Sequence, residues 1–189
     1  MSSSAKGRRD GEFSPSRRAF LRLRKDPEAE LLRPPWTDAE QVAARCTACK
    51  ACEAACPEGI IRSDSRGHPF IDFGRAADSA SDGAFDGREC TFCGKCAESC
   101  EAGVFDLART PPWDRIAHIN EGCLQDSGVS CHVCRDFCPV SAIRIDLEKR
   151  PFGRLKIDGQ ACTGCGACLG ACPQDVLTLS TRSTEQEVA

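Results

Sequence analysis

The chain of 189 residues contains 16 cysteines, two tryptophans and no tyrosine, and its formal net charge is −3. This charge excludes a domain that is basic throughout, as many nucleic-acid-binding domains are, and we predict no nucleic-acid partner. The sequence also contains no run of about 20 apolar residues, so no transmembrane segment is predicted. Aromatic residues make up only 6% of the chain, so we expect a thin apolar core that needs another source of folding free energy.

Residues 1–34 form a polar, arginine-rich segment, which we predict to be a mobile basic arm. The segment holds nine Lys or Arg against five Asp or Glu, a net charge of +4, so residues 35–189 carry −7. Residues 16–22 match a twin-arginine export motif, but residues 23–28 are mostly charged where an export signal needs an apolar region. We therefore predict that the arm does not export the protein, and that the protein is cytoplasmic. Phe20 and Leu21 form a short apolar patch that is either a bystander or a contact for a partner.

The arm is followed by a Pro-Pro-Trp sequence that ends at Trp36. Thr37 is the predicted N-cap of a helix over residues 38–45, with Glu40 as the reciprocal partner in a capping box. A second Pro-Pro-Trp ends at Trp113, and each tryptophan lies ten residues before the next cysteine. This match predicts a duplicated unit of about 77 residues. We expect both tryptophans to pack on the body of the protein rather than to carry electrons.

Two β-hairpins and one further strand are predicted from β-branched and aromatic residues between turn signals. The strands of the first hairpin are residues 59–62 and 70–73, those of the second are 142–147 and 154–157, and the single strand is 104–107. Residues 75–87 are predicted to be an acidic loop of small residues. Residues 181–189 are predicted to be a disordered tail.

The cysteines fall into four groups of four. In three groups two residues separate each of the first three cysteines and three residues precede the fourth; in the third group seven residues separate the first two. A proline follows every group except the second, which is followed by Glu101. The groups are Cys46, Cys49, Cys52 and Cys56; Cys90, Cys93, Cys96 and Cys100; Cys123, Cys131, Cys134 and Cys138; and Cys162, Cys165, Cys168 and Cys172. This spacing is typical of bacterial 4Fe-4S ferredoxins, so we predict four 4Fe-4S clusters whose binding supplies much of the folding free energy.

Two other uses of the cysteines are less compatible with the sequence. A disulfide framework needs an oxidising compartment, and the chain has no cleavable export signal. Zinc sites use pairs of cysteines with longer gaps and do not need a third cysteine two residues further on. His132, inside the third group, is predicted to donate a hydrogen bond near the metal rather than to bind it, because that group already has four cysteines.

In two-cluster ferredoxins the fourth cysteine of each group binds the cluster of the other group. We therefore predict an α+β fold of two tandem ferredoxin-like modules, residues 35–108 and 109–180. The alternative is nested pairing, in which the first group exchanges its fourth cysteine with the fourth group and the second group with the third. The tandem ligand sets are Cys46, Cys49, Cys52 and Cys100 (cluster 1); Cys90, Cys93, Cys96 and Cys56 (cluster 2); Cys123, Cys131, Cys134 and Cys172 (cluster 3); and Cys162, Cys165, Cys168 and Cys138 (cluster 4).

The chain resembles the NapF family of ferredoxin-type proteins. The residues that carry this resemblance are Ser-Arg-Arg-Ala-Phe-Leu-Arg at 16–22, Arg-Pro-Pro-Trp at 33–36, the four cysteine groups, the long third group, and the lone non-proline Glu101. The resemblance covers about residues 14–178. It implies a cytoplasmic accessory protein of periplasmic nitrate reductase, which interacts with the catalytic subunit before export and assists its maturation or iron–sulfur loading.

Three functions remain open from the sequence. The first is this maturation role, exerted by electron transfer or in assembly of the client's cluster. The second is an electron-transfer subunit with four clusters in an oxidoreductase complex, and the third is a structural or storage role for the clusters. Because no nucleophile with a neighbouring base and no phosphate-binding loop is present, we do not expect independent enzymatic activity.

Overall fold

The structure is a computed structural model, and it describes residues 31–74, 88–148 and 153–182. The described ranges contain short helices and short strands, and none of these helices is long and apolar enough to cross a membrane. The helices are α1 (Ala39–Arg45), α2 (Ala51–Ala55), α3 (Lys95–Glu98), α4 (Val133–Asp136) and α5 (Ala167–Ala171). The strands are β1 (Ile61–Ser63), β2 (Pro69–Ile71), β3 (Arg115–Ile119), β4 (Ile143–Asp146), β5 (Arg154–Ile157) and β6 (Leu177–Thr181).

The strands form three antiparallel pairs. Strands β1 and β2 pair with Ile61 opposite Ile71, and β4 and β5 pair with Ile143 opposite Ile157. Both predicted hairpins are therefore confirmed: β5 has the predicted bounds, and the ends of the other three strands differ from the prediction by one or two residues. The third pair joins β3 to β6, with Ile119 opposite Leu177.

The β3–β6 pair shows where the two halves of the chain differ. After the second Pro-Pro-Trp, the β-branched residues of β3 find a partner in β6. After the first Pro-Pro-Trp, the Ala- and Glu-rich segment forms helix α1 instead. The predicted strand at residues 104–107 is wrong: Val104 is buried, but among the described residues no strand pairs with this segment. The backbone N–H of Asp106 donates to Trp36 O at 2.7 Å before the chain turns away.

Helix α1 begins one residue later than predicted. Asp38, not Thr37, is the N-cap, because its Oδ1 accepts a hydrogen bond from the backbone N–H of Gln41 at 2.8 Å. Thr37 is buried, and its hydroxyl makes a longer contact of 3.4 Å to Asp38 O. The capping box between Thr37 and Glu40 is therefore wrong, although the helix itself is confirmed.

The packed part of the chain begins before the predicted boundary at residue 35. Leu32 O accepts a hydrogen bond from the backbone N–H of Ile71 at 2.7 Å, and Pro34 and Pro35 are fully buried. The described residues from Leu32 onward form one compact unit. The predictions for the rest of the arm, for the loop at 75–87 and for most of the tail lie outside the described residues, but Thr181 ends strand β6 rather than starting a tail.

Two apolar clusters form the core, and cysteine side chains complete both. The first contains Ile60, Ile71 and Phe73 from the first half, with Trp113 from the second. Leu169 and Leu179, also from the second half, pack against it. The predicted modules 35–108 and 109–180 thus share one core.

A buried ion pair holds the turn of the first hairpin. Arg33 Nη1 donates to Asp64 Oδ2 at 3.0 Å and to Pro69 O at 2.9 Å, and the Asp64 side chain is only 2% exposed. Asp64 Oδ1 accepts the backbone N–H groups of Arg66 and His68. Burial alone would raise the pKa of Asp64, but these N–H groups and the Arg33 guanidinium hold the pKa below its ordinary value.

We predict that Arg33→Met lowers the free energy of unfolding by about 3 kcal/mol, because it leaves a buried carboxylate without its cation. The pair contributes stability above the ordinary Asp pKa of about 4, and this is lost only as the pH falls through the lowered folded value. The deficit should therefore be constant from pH 6 to 8. Anaerobic urea unfolding measures it, and Arg62→Met, at an exposed position on β1, is the control. An Arg33→Met effect no larger than the control's would contradict the prediction.

Candidate iron–sulfur sites

Four cavities lie along the described part of the chain, and four cysteines line each of them. Their volumes are 320–390 Å³, part of which is open to solvent. The cysteine sulfurs surround these spaces rather than one point: in the described ranges no three His, Cys, Asp or Glu side chains converge tightly enough to hold a single metal ion. The sets are Cys46, Cys49, Cys52 and Cys100 (first cavity); Cys56, Cys90, Cys93 and Cys96 (second cavity); Cys123, Cys131, Cys134 and Cys172 (third cavity); and Cys138, Cys162, Cys165 and Cys168 (fourth cavity).

One-turn helices distribute the cysteines between cavities. Helix α2 carries Cys52 toward the first cavity, and Cys56 follows its last residue and lines the second. Helix α3 does the reverse, with Cys96 at the second cavity and Cys100 at the first. Helices α4 and α5 relate the third and fourth cavities in the same way. Each one-turn helix therefore lies between two neighbouring cavities.

The loops of the three compact groups share one backbone conformation. The second and fourth residues after the first cysteine have positive φ in each loop, which bends the backbone around the cavity. Glycine is best suited to this conformation, but only the fourth group uses it twice. The residue pairs are Ala48 and Lys50, Phe92 and Gly94, and Gly164 and Gly166.

The third group reaches its cavity by another route. Residues 124–130 form a turn-rich insertion between Cys123 and Cys131, and Gln125 is the buried residue that holds it. Gln125 Oε1 accepts the backbone N–H of Cys131 at 3.1 Å. His132 precedes helix α4 with φ −124°, so this loop lacks the left-handed residue found before the other helices that carry cysteines.

The side chain of His132 has two different nitrogen environments. Its Nε2 is 3.0 Å from Ser130 Oγ. Its Nδ1 is buried and has no hydrogen-bond partner among the described residues. His132 does not line the third cavity, so its predicted role as a hydrogen-bond donor near the metal stays a prediction.

An identical turn follows the fourth cysteine of every group. The third residue after that cysteine donates its backbone N–H to the cysteine's carbonyl, at 3.1–3.4 Å, and has positive φ. Glu101 takes the place of proline in the second group without changing this turn. The positive-φ residues are Gly59, Gly103, Ser141 and Asp175.

Backbone N–H groups also donate hydrogen bonds to cysteine sulfurs, Cys46 and Cys138 among them. The N–H of Ala48 donates to Cys46 Sγ at 3.4 Å, and the N–H of Ala142 donates to Cys138 Sγ at 3.2 Å. Such bonds stabilise charge on sulfur and adjust the reduction potential of a bound iron–sulfur group.

Burial makes most of the shifted thiols harder to ionise. It raises the pKa of Cys52 and Cys134 to about 11 and that of Cys90 to about 12, and neighbouring cysteines add to the shift. It also raises the pKa of Cys168. Cys49 differs. Hydrogen bonds from the Ala51 backbone and the Thr47 side chain lower its pKa, because this thiol is exposed and burial opposes them only weakly.

The residues present fit iron–sulfur groups. Each cavity presents four sulfurs and is otherwise lined largely by apolar or small residues; at the third cavity these include Ile119, Leu155 and Leu177. Four neighbouring thiolates, several of them wholly or partly buried, would be costly without a cation, as the raised pKa values indicate, and iron would supply the compensating positive charge. The loops bring backbone N–H groups within reach of sulfur.

Three aromatic rings pack between the two Pro-Pro-Trp segments. Phe92 lies between Trp36 and Trp113 and meets each edge-on, with ring centroids 6.3 and 5.8 Å away. Trp113 Nε1 donates to Thr163 O at 3.0 Å, and the N–H of Trp36 donates to Pro112 O at 2.7 Å. Both tryptophans are buried, which confirms that they pack on the body of the protein.

Several residues that shape the sites were not predicted from the sequence. Gln125 carries no distinguishing signal, because a polar residue in a loop is ordinary. The left-handed conformations of Ser141 and Asp175 could have been found by aligning the four groups, since Gly59 and Gly103 occupy the same position. Phe92 gave no such signal, because its neighbours come from distant parts of the chain.

Comparison with known proteins agrees with this arrangement. A family described as a 4Fe-4S dicluster domain matches residues 45–104 and 129–176, and a second family with the same description matches residues 14–61. The Ferredoxin-type protein NapF of Escherichia coli (strain K12) is 32% identical over 164 residues, which cover 86% of this chain and 93% of the relative.

Two further relatives belong to the same class. The Ferredoxin-type protein NapF of Haemophilus influenzae is 33% identical over 150 residues, 79% of this chain and 78% of the relative. The Methylamine utilization ferredoxin-type protein MauM of Methylobacillus flagellatus is 30% identical over 167 residues, 82% of this chain and 69% of the relative. These relatives are ferredoxin-type iron–sulfur proteins, electron carriers rather than enzymes. The chain has two tandem 4Fe-4S dicluster domains and belongs to the NapF family of ferredoxin-type proteins.

Proposed function

We propose that the protein carries four 4Fe-4S clusters, one in each cavity, held by the four cysteines that line it. The observation that supports this proposal is that the four cavities divide all 16 cysteines into four complete sets. A nested arrangement would require Cys172 beside Cys46, Cys49 and Cys52, whereas Cys172 lines the third cavity. A 4Fe-4S group supplies one-electron transfer, and the protein provides its ligands, its apolar surroundings and hydrogen bonds to sulfur.

The proposed role is that of an accessory protein in the periplasmic nitrate reductase system. Acting in the cytoplasm, it would assist maturation or iron–sulfur loading of the catalytic subunit before export, by electron transfer. The support is the family membership together with the sequence features of residues 16–22 and 33–36, which carry the resemblance.

A second candidate is an electron-transfer subunit of an oxidoreductase complex. This candidate is favoured by the similarity to a relative whose name refers to methylamine utilization rather than to nitrate reductase. Proteins similar to this chain are therefore not confined to the nitrate reductase system. The two candidates differ in whether the protein binds the immature catalytic subunit or remains with a mature enzyme. Co-purification from cytoplasmic and periplasmic fractions distinguishes them.

We predict that protein purified without oxygen holds about 16 iron atoms and about 16 acid-labile sulfides per chain, because four complete cysteine sets each suit one 4Fe-4S cluster. Colorimetric iron and sulfide assays measure both quantities. Iron near half this value, or stoichiometric zinc, would refute the four-cluster assignment.

We predict that Cys100→Ser damages the first cluster and Cys56→Ser the second, although these cysteines belong to the second and first sequence groups. The physical reason is that Cys100, which follows α3, lines the first cavity, and Cys56, which follows α2, lines the second. EPR of the reduced variants, with the cluster signals resolved, measures the loss. If Cys56→Ser instead abolishes the signal of the fourth cluster, pairing is nested.

We predict that deleting residues 1–30 leaves all four clusters intact but weakens binding to the immature catalytic subunit. No cysteine lies in that segment, and its positive charge can steer encounter with the partner. Such steering weakens with salt, because the Debye length falls from about 10 Å at 0.1 M to about 3 Å at 1 M. Arg17→Ala with Arg18→Ala should lower mainly the association rate, and Phe20→Ala should mainly shorten residence. Surface plasmon resonance measures both rates, and unchanged binding after the deletion would place the binding surface elsewhere.

A further inference from the structure

The two halves of the chain meet through their cysteine loops. The backbone N–H of Cys90, which lines the second cavity, donates to the carbonyl oxygen of Cys165, which lines the fourth, at 2.7 Å. This hydrogen bond joins two loops that are 75 positions apart in the sequence. It places the second and fourth cavities side by side across the boundary between the halves.

Gly166 makes this approach possible. A Cβ atom at Gly166 would collide with the ring of Phe73, which belongs to the first half. At Gly164 a Cβ would lie 2.6 Å from Arg115 O and 3.0 Å from Trp113 Nε1. The loop of the fourth group is thus packed against neighbouring backbone and aromatic rings with no room for side chains at either position.

Trp113 adds a second connection between the same two loops. Its ring meets Phe92, which lines the second cavity, and its Nε1 donates to Thr163 O, which belongs to the loop of the fourth. Two independent contacts, one of backbone and one of aromatic rings, therefore fix the distance between these two cavities.

We propose that the four sites form one series in the order first, second, fourth, third, and that the contact of Gly166 with Phe73 sets the junction between the halves. This inference rests on the proposal of four clusters. Within each half the one-turn helices connect the two cavities, and between the halves the Cys90–Cys165 hydrogen bond connects the inner two. The first and third sites are the two ends of the series.

Electron exchange across this junction is chemically simple. With clusters bound, one electron would leave one of the two inner sites and arrive at the other, so that one would be oxidised as the other is reduced. No bond forms or breaks, and no proton is transferred. The electrons enter from an external one-electron reductant, for which dithionite serves in the experiment below.

The test uses two glycines at equivalent positions of the second and fourth groups. Gly94 has φ +76° and Gly166 has φ +86°, so alanine introduces similar backbone strain at both. A Cβ at Gly94 meets nothing within 4 Å, whereas at Gly166 it meets Phe73. Lys50 occupies the same position of the first group, so a side chain is compatible with this loop. Gly94→Ala is therefore a control matched for strain.

Full-length wild type, Gly94→Ala and Gly166→Ala are purified without oxygen, assayed for iron, and reduced with dithionite for EPR. Wild type and Gly94→Ala should show three magnetic interactions between neighbouring sites, two within the halves and one between them. Gly166→Ala should lose the interaction between the halves at unchanged iron content. Hydrogen exchange of the peptide containing the Cys90 amide should be at least about tenfold faster in Gly166→Ala than in Gly94→Ala, since the displaced loop no longer accepts its hydrogen bond.

Each outcome decides the inference. Identical spectra and exchange in both variants, at full iron content, would overturn the junction, and so would a wild type that lacks interaction between its halves. Wild-type iron well below 16 atoms per chain would instead overturn the proposed function. If Gly166→Ala fails to assemble its clusters, Phe73→Leu replaces it: this variant keeps an apolar side chain but removes the ring, and the same criteria apply.

Discussion

Each one-turn helix contains one cysteine, and a second cysteine follows four positions later and lines a different cavity. The rest of the structure depends on this constraint. Cys52, within α2, lines the first cavity, and Cys56, directly after α2, lines the second. A half of the chain therefore cannot complete one site without the other. Since much of each apolar cluster consists of cysteine side chains, the core too depends on what the cavities hold. We therefore expect folding and metal loading to be coupled.

The chain repeats its backbone geometry more faithfully than its side chains. The turn after the fourth cysteine recurs four times, with Gly, Gly, Ser or Asp in the left-handed position. Glu101 replaces proline in that turn without altering it. The compact loops place Ala, Lys and Phe where the fourth group has glycine. Only where another part of the chain approaches closely, as Phe73 approaches Gly166, does the geometry require glycine itself.

The two halves of the chain share the same sequence of motifs but differ in the secondary structure that follows the first of them. Both begin with Pro-Pro-Trp and contain a hairpin, but the first continues as α1 and the second as β3. The tryptophans contact Phe92 from opposite halves, so the repeated segments serve as the contact between modules. One shared core then holds four cysteine sets in a fixed arrangement. A fixed arrangement suits an electron carrier, because rates of electron transfer depend on distances that do not change.

The cysteine spacing predicted four groups of four cysteines and the ferredoxin class, because a cluster needs sulfur ligands at defined intervals along the chain. Both hairpins were predicted from β-branched and aromatic residues between turn signals. The sequence predicted the helix after the first tryptophan, whereas the strand after the second was decided by tertiary pairing with β6. Residues 104–107 have no strand partner among the described residues. The Arg33–Asp64 ion pair and the Cys90–Cys165 hydrogen bond join residues that are remote in sequence. The spacing of residues along the chain contains no information about such pairs, because neither partner differs from other residues of its type until the fold places the two in contact.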